Sequence, residues 1–202
     1  MRFAFTDEQE LLRREAREVL ADGGWGRDEA AELGFLDRAV LLEEAGRANR
    51  GGEFFDESAP ENERLAALAL EAAGIAQRAL ELAVEHAKTR VQFGRPIGVY
   101  QAVSHPLADT YVESELARSL AYWAAWCVAE DDEQAPIAVA AAKSYAGDVA
   151  VAACERAIQV LGGIGFTWEH PLHRYYKRAQ WIQAFDGFPA TQRAEIADLL
   201  LA

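Results

Sequence analysis

The 202-residue sequence is poor in cysteine and in basic side chains. Its two cysteines, Cys127 and Cys154, each lie in an apolar stretch with no CxxC or Cys/His spacing, which favours core thiols over metal ligands. Lys and Arg number 20 against 33 Asp and Glu, for a formal net charge of −13. That charge repels phosphate backbones and anionic lipid surfaces, so we expect neither nucleic acid nor a membrane as a partner.

Long apolar runs and strand patterns are also scarce. No uncharged apolar run approaches the roughly 18 residues that a membrane span requires. The N-terminus becomes charged after the first few residues and lacks the apolar segment of a signal peptide. No convincing alternation of β-branched residues predicts a sheet. The sequence therefore predicts a cytoplasmic, all-α protein.

The N-terminal part predicts short helices. Thr6 and Gln9 have the spacing of a capping box at the start of a first helix. A short second helix is predicted from Asp28 to Leu33, and Asp37 can cap a third. Residues 49–62 contain two glycines, a proline and several acids, and this composition predicts a loop.

The remaining sequence predicts three long helices. The first runs from Pro60 to about Arg90, and the second follows to about Glu130, with Pro106 expected to bend or delay its first turns. The third begins at Pro136 and ends at the glycines that start with Gly162. Shorter helices follow Pro171 and Pro189. Together these elements predict an antiparallel helical bundle with short N-terminal helices and no sizeable sheet.

Two places in the bundle have residue types that suit an anionic ligand. Arg90, at a helix end beside a turn, suits a bidentate contact to phosphate, and Phe93 offers a stacking face. Gln159 precedes Gly162 and Gly163, whose backbone carries no side chains. The alternatives are a helix-capping Arg with a core Phe, and a glycine C-cap. Both alternatives stay open on the residues alone.

Histidines raise the possibility of a metal site. His170 and His173 are three residues apart, but Pro171 interrupts the pair and no third ligand follows. His105 is more simply a packed or phosphate-facing histidine. We therefore expect no metal.

Several motifs in a fixed order carry a resemblance to a known family. RxxFGxxI begins at Arg90, QAxxHxLAD at Gln101 and QxxGGxGF at Gln159, and AFDG closes the series. This combination resembles the acyl-CoA dehydrogenase family over roughly residues 63–202, and the first helix is also similar, more weakly. The resemblance implies that residues 1–50 are N-terminal helices and residues 63–202 the helical C-terminal domain. Residues 51–62 would then be a loop in place of the family's middle β-domain.

The family also implies a cofactor and an assembly. In it, the residues matched by Arg90 and Phe93 contact the pyrophosphate and adenosine of FAD. Those matched by Gln159, Gly162 and Gly163 receive the FAD of a neighbouring subunit. The resemblance thus implies an oligomer in which each flavin lies across an interface.

The family's reaction needs a carboxylate base opposite the flavin, because a proton leaves the carbon next to the thioester carbonyl. The matching position is Asp186, where the family most often has Glu, and the missing methylene shortens the reach by about 1.5 Å. Glu63 lies near the position from which other members take their base. The alternatives are an acid in a solvated turn for Asp186 and a dipole-compensating residue for Glu63.

Three functions follow as alternatives. The first is an FAD-dependent acyl-CoA dehydrogenase subunit that completes its flavin site with another chain, either in a homo-oligomer or with a full-length acyl-CoA dehydrogenase. The second is a non-catalytic assembly partner of such an enzyme. The third is a flavin-independent enzyme that acts on acyl thioesters. For the first, the family suggests an electron-transferring flavoprotein as the electron acceptor.

Overall fold

The structure, a computed structural model, describes residues 5–201. Its helices in this range are α1 (Asp7–Ala21), α2 (Arg27–Ala31), α3 (Phe35–Arg47), α4 (Gly51–Phe54), α5 (Glu61–Thr89), α6 (Gln101–Ala129), α7 (Ala135–Leu161), α8 (Leu172–Ala184) and α9 (Pro189–Leu201). A hairpin of β1 (Val91–Gln92) and β2 (Arg95–Pro96) follows α5, and 3₁₀ segments span Ile97–Val99 and Gly162–Phe166. The prediction of an all-α fold is confirmed.

The three long helices α5, α6 and α7 form the centre of the bundle. Their buried faces consist largely of alanine and leucine, and the small alanine side chains let the helices pack closely. Short connections make α5 antiparallel to α6 and α6 antiparallel to α7, so α5 and α7 run parallel and in contact. The C-terminal ends of α5 and α7 therefore lie at the same end of the bundle.

Two glycines set the crossing of α3 and α5. A Cβ atom on Gly74 would stand 2.0 Å from the carbonyl oxygen of Glu43, and one on Gly46 would stand 2.1 Å from that of Glu71. Such distances leave no room for any side chain at either position. The two backbones are in direct contact there, which holds the N-terminal helices against the bundle.

Ion pairs attach α1 to α3. The capping box predicted at the start of α1 is present, with Thr6 and Gln9 bonding each other's backbone. The guanidinium of Arg17 donates to both carboxylate oxygens of the buried Glu44, at 2.9 and 2.7 Å. Glu43, also buried, accepts hydrogen bonds of 2.6 Å from Arg118 and from the hydroxyl of Tyr122 on α6. These carboxylates are thus buried with partners from two further helices.

Some boundaries differ from the sequence predictions. The second helix is shorter than predicted and covers Arg27–Ala31. The third starts at Phe35 with Gly34 as its N-cap. Asp37 does not cap this helix, because its carboxylate accepts a hydrogen bond from the side chain of Gln9 on α1.

The other two differences concern a loop and a proline. Residues 49–62 are not entirely a loop, since Gly51–Phe54 form one helical turn. Pro106 does not delay the second long helix, which begins at Gln101 and contains the proline. The division of the chain at residues 51–62 stays a prediction.

The segment Ala135–Phe166 is long and apolar enough to cross a membrane by length and composition alone. Core helices pass the same test, and this one contacts α5, α6, α8 and α9. It is therefore accounted for as the central core helix of the bundle.

Candidate functional site

The hairpin after α5 carries an exposed aromatic ring on a strained backbone. Val91 pairs with Pro96 and Gln92 with Arg95, which leaves Phe93 and Gly94 as a two-residue turn. Both have positive φ, 52° at Phe93 and 78° at Gly94, the geometry that favours Asn or Gly at such turns. The Phe93 ring is 90% exposed. A bulky residue held in this conformation and turned to solvent indicates a functional role rather than a packing role.

Two arginines beside this turn have no acid partner. Most guanidinium groups of this acidic chain form ion pairs, but among the ion pairs of residues 5–201 neither Arg90 nor Arg95 takes part. The Arg95 guanidinium lies over the ring of Tyr100, 5.4 Å from its centroid. The Arg90 side chain is exposed. The turn therefore joins positive charge to an aromatic face.

The glycines after α7 form an exposed backbone corner. Gly162 caps α7 with φ 65°, and Gly162 and Gly163 each have no atom within 4 Å of the place that a Cβ would take. Gln159 is exposed one turn earlier. Because α5 and α7 are parallel, this corner lies at the same end of the bundle as Arg90 and Phe93. The structure thus brings all five predicted cofactor-binding residues to one end of a single chain.

Asp186 lies at the opposite end of the bundle. Its carboxylate is bound by Arg64, a residue that the sequence analysis did not identify. The Nε and Nη2 atoms of Arg64 donate to its Oδ2 at 2.9 and 2.7 Å. Nη1 of the same guanidinium donates to the carbonyl of Ala59 at 3.0 Å. Asp186 has φ 52°, so the turn that presents its carboxylate is also in the left-handed region. The contact joins the end of α8 to the start of α5.

Glu63 stands next to Arg64 in the first turn of α5, and its carboxylate accepts a hydrogen bond from Arg38 of α3. The structure therefore brings the two candidate bases together, each paired with an arginine. No sequence signal identifies the partner of Asp186, because Arg64 is 122 residues away along the chain.

A cavity of about 200 Å³ lies between α2, α3, α4 and α5 and is lined in part by Glu63 and Arg64. Phe35, Phe54 and Leu68 contribute apolar walls, and Glu63 and Arg64 contribute charged ones. The Nε atom of Arg38, another lining residue, is buried without a hydrogen-bond partner. The cavity combines an apolar surface with charged side chains at its wall.

The two ends are far apart within one chain. Arg64 and Arg90 stand near opposite ends of α5, and at 1.5 Å per residue the helix separates them by about 40 Å. That distance exceeds the length of a dinucleotide cofactor. One chain therefore cannot place Arg90 and Asp186 on the same bound cofactor.

Comparison with known proteins identifies the class to which this bundle belongs. The family profile described as "Acyl-CoA dehydrogenase, C-terminal domain" matches residues 50–201. The acyl-CoA dehydrogenase FadE34 of Mycobacterium tuberculosis is 49% identical over 121 residues, which are 59% of this chain and 17% of that protein.

Solved structures agree with this match. Butyryl-CoA dehydrogenase from Megasphaera elsdenii superposes with a TM-score of 0.67 at 32% identity, over 79% of this chain and 38% of that one. A structure titled as the FAD complex of PigA has a TM-score of 0.63 at 31% identity, over 67% of this chain and 35% of that one.

The chain is thus a helical protein that belongs to the acyl-CoA dehydrogenase family. It spans less than two-fifths of the length of each of these relatives.

Proposed function

We propose that this chain is a subunit of an FAD-dependent acyl-CoA dehydrogenase and shares its flavin site with another chain. One observation carries the proposal: unpaired guanidinium groups and a strained, exposed Phe93 stand at the same end of the bundle as an open glycine corner. The guanidinium groups of Arg90 and Arg95 suit a pyrophosphate, and the Phe93 ring suits stacking. The exposed backbone at Gly162 and Gly163 allows close approach of a ligand. These residues fit FAD.

The separation of the two ends supports a shared site. A flavin held at the Arg90 end of one chain meets a carboxylate only if another chain supplies it. The resemblance implies that Arg90 and Phe93 come from one chain and that Gln159, Gly162 and Gly163 come from another. Their location at one end of this chain is also compatible with both serving the same flavin. The assembly is either a homo-oligomer or a hetero-oligomer with a full-length acyl-CoA dehydrogenase.

The remaining chemistry is assigned to the other end. Bound FAD supplies a hydride acceptor for the carbon β to the thioester carbonyl. Asp186 would take the proton from the α carbon, and Arg64 fixes its carboxylate through Oδ2. The acyl thioester would enter the cavity beside Glu63 and Arg64. A partner chain would also exclude water from the reacting atoms.

One observation favours a second function, a non-catalytic assembly partner. The carboxylate of Asp186 accepts two hydrogen bonds from Arg64 at one oxygen, Oδ2, and its side chain is one methylene shorter than the family's usual base. A misplacement of about 1 Å can lower a rate on the order of 100-fold. In this alternative the bundle surface is kept because it forms the subunit interface.

Purification separates these functions. The chain is expressed alone and together with an acyl-CoA dehydrogenase encoded beside it, and flavin absorbance is measured per mole of protein. Yellow protein in either case supports the proposed function. Colourless protein that co-purifies with the dehydrogenase supports the assembly partner. Colourless protein that turns over an enoyl or hydroxyacyl thioester supports the flavin-independent enzyme.

The identity of the catalytic base is tested in the assembly that contains flavin. Asp186→Asn should abolish turnover of the acyl thioester and leave the flavin content unchanged, because the two sites lie at opposite ends of the chain. Glu63→Gln is the matched change at the neighbouring carboxylate. Turnover that survives Asp186→Asn and disappears in Glu63→Gln would assign the proton transfer to Glu63 instead.

A further inference from the structure

Lys143 is a fully buried lysine in the middle of α7, with 0% of its surface exposed. Its Nζ atom donates to the carbonyl oxygens of Phe185 at 3.0 Å and Gln183 at 3.5 Å. Both carbonyls belong to the C-terminal end of α8, where helix carbonyls lack partners within the helix. The ammonium group therefore caps α8 from inside the core, immediately before Asp186.

Gln192 holds the same turn from the other side. Its side chain is 1% exposed, and its Nε2 atom donates to the carbonyls of Asp186 at 2.9 Å and Gly187 at 3.1 Å. Three successive carbonyls, from Phe185 to Gly187, are thus bound by two buried side chains from α7 and α9. A four-residue connection between helices rarely receives so many buried donors, since most loop carbonyls bond to water.

The backbone of this turn is strained in a way that these donors can maintain. Asp186 has φ 52° and Gly187 has φ 97°. A non-glycine residue is disfavoured in this region and persists where the surroundings determine it. If the carbonyls were released, Asp186 would relax and its carboxylate would leave the guanidinium of Arg64.

From this geometry we infer that Lys143, assisted by Gln192, is a positioning residue that sets where the Asp186 carboxylate stands. The inference rests on the proposed function for its catalytic meaning, although the contacts exist independently of it. An ammonium is better suited to this task than an amide, because a charged donor binds carbonyls more strongly in a buried site. Burial lowers the pKa of Lys143 to about 8, and the charges of Asp186 and Asp148 oppose this shift, so the lysine is mostly protonated at neutral pH.

The inference is tested on the isolated chain, by measuring hydrogen exchange and an arginine NMR signal at the turn between α8 and α9. Lys143→Met keeps the length of the side chain and removes its donors. We expect hydrogen exchange of the Phe185 amide, which donates to the carbonyl of Trp181 at 2.9 Å, to accelerate at least about 10-fold relative to the wild type. We also expect loss of the slowly exchanging Nε–H resonance of Arg64, which reports its contact with Asp186.

Ser144→Ala is the matched control. Its hydroxyl, on the next residue of α7, donates to the carbonyl of Pro189 at 3.4 Å and does not touch the turn. This variant should leave exchange of the Phe185 amide and the Arg64 resonance as in the wild type. If Lys143→Met does not fold, Gln192→Met removes the donors on the other side of the turn and is read in the same way.

Unchanged exchange and an unchanged Arg64 resonance in the folded variant would overturn the inference. A uniform acceleration of all slow amides would also overturn it, because it would show a contribution to general stability only. In the yellow assembly, Lys143→Met should lower kcat about 10- to 100-fold with KM little changed. A colourless assembly would count against the proposed function and leave the exchange result valid.

Discussion

At the scale of single residues, the buried Lys143 couples the stability of the fold to pH. Burial lowers the pKa of Lys143 to about 8 from its ordinary value of 10.5, and the nearby charges of Asp186 and Asp148 oppose this shift. Those two carboxylates also bond Arg64 and Arg193, so each is shared between cations. The lysine is therefore mostly protonated at neutral pH, but it releases its proton at a lower pH in the folded chain than in the unfolded chain.

This coupling predicts a difference between the wild type and Lys143→Met. Between pH 8 and 10.5 the unfolded chain binds more protons at this residue than the folded one. Rising pH therefore stabilises the wild type relative to the variant, by up to about 3 kcal/mol over the full interval. Urea unfolding at several pH values in this range measures the difference in the free energy of unfolding, in which other groups cancel. Parallel stability curves for the two proteins would contradict the prediction.

At the scale of elements, the crossing of α3 and α5 depends on glycines with no room for a methyl group. Gly74→Ala would place its Cβ 2.0 Å from a backbone carbonyl oxygen. We expect a loss of about 3 kcal/mol or more in the free energy of unfolding, despite the better helix propensity of alanine. Thermal or urea unfolding measures this loss.

Gly147 of α7 provides the comparison for this prediction. It is also a buried glycine inside a long helix, but its nearest neighbour would be an ordinary 3.4 Å from an added Cβ. Gly147→Ala should change stability by less than about 1 kcal/mol, in either direction. Equal effects of the two substitutions would show that backbone contact is not what makes Gly74 necessary.

The elements also show what the sequence could and could not predict. The long helices, the capping box at Thr6 and the glycine end of α7 follow from local patterns, and the structure has them. The start of α3 was wrong because Asp37 bonds to another helix, a tertiary contact that no local pattern contains. Burial of Glu43 and Glu44 was equally hidden, since Arg17 and Arg118, which pair with them, come from α1 and α6.

The residues of the candidate site also fall into two groups, those that the sequence could predict and those that it could not. Arg90, Phe93 and Gly163 could be named in advance because they belong to short motifs with fixed spacing. Arg64 and Lys143 could not, because each contacts the turn at Asp186 across a long sequence separation. A buried lysine in an alanine-rich helix leaves no signal of its partners in the sequence. Motifs predicted the candidate cofactor-binding residues, and packing determined which residues contact the candidate base.

At the scale of the whole molecule, the Arg90 end and the Asp186 end of the bundle can contribute to the same reaction only if two chains assemble. The Arg90 end and the Asp186 end lie about 40 Å apart along α5. Several large apolar side chains near the Arg90 end are exposed, among them Phe93, Phe166 and Trp168. An exposed aromatic group of this kind is typical of a surface that another chain or a ligand covers.

Mixing of variants shows which chains meet at each flavin. Arg90→Ala removes an unpaired guanidinium, and Gly163→Leu adds a side chain where no atom lies within 4 Å, so both should fold normally. Each variant alone should lose most of its flavin. If Arg90 and Gly163 act from different copies in a symmetric dimer, co-expression of the two restores about a quarter of the wild-type flavin content, because one site in each mixed dimer keeps both groups.

The other outcomes of mixing assign the site differently. No restoration would mean that both residues contact the flavin from the same copy, as their location at one end of the bundle allows. A mixture of Arg90→Ala with Asp186→Asn then tests the two ends. Flavin-containing sites that use Arg90 of one copy and Asp186 of the other should recover turnover, since the helix holds these residues too far apart to act from one chain. Mixtures that bind flavin but show no turnover would mean that the carboxylate comes from a different protein.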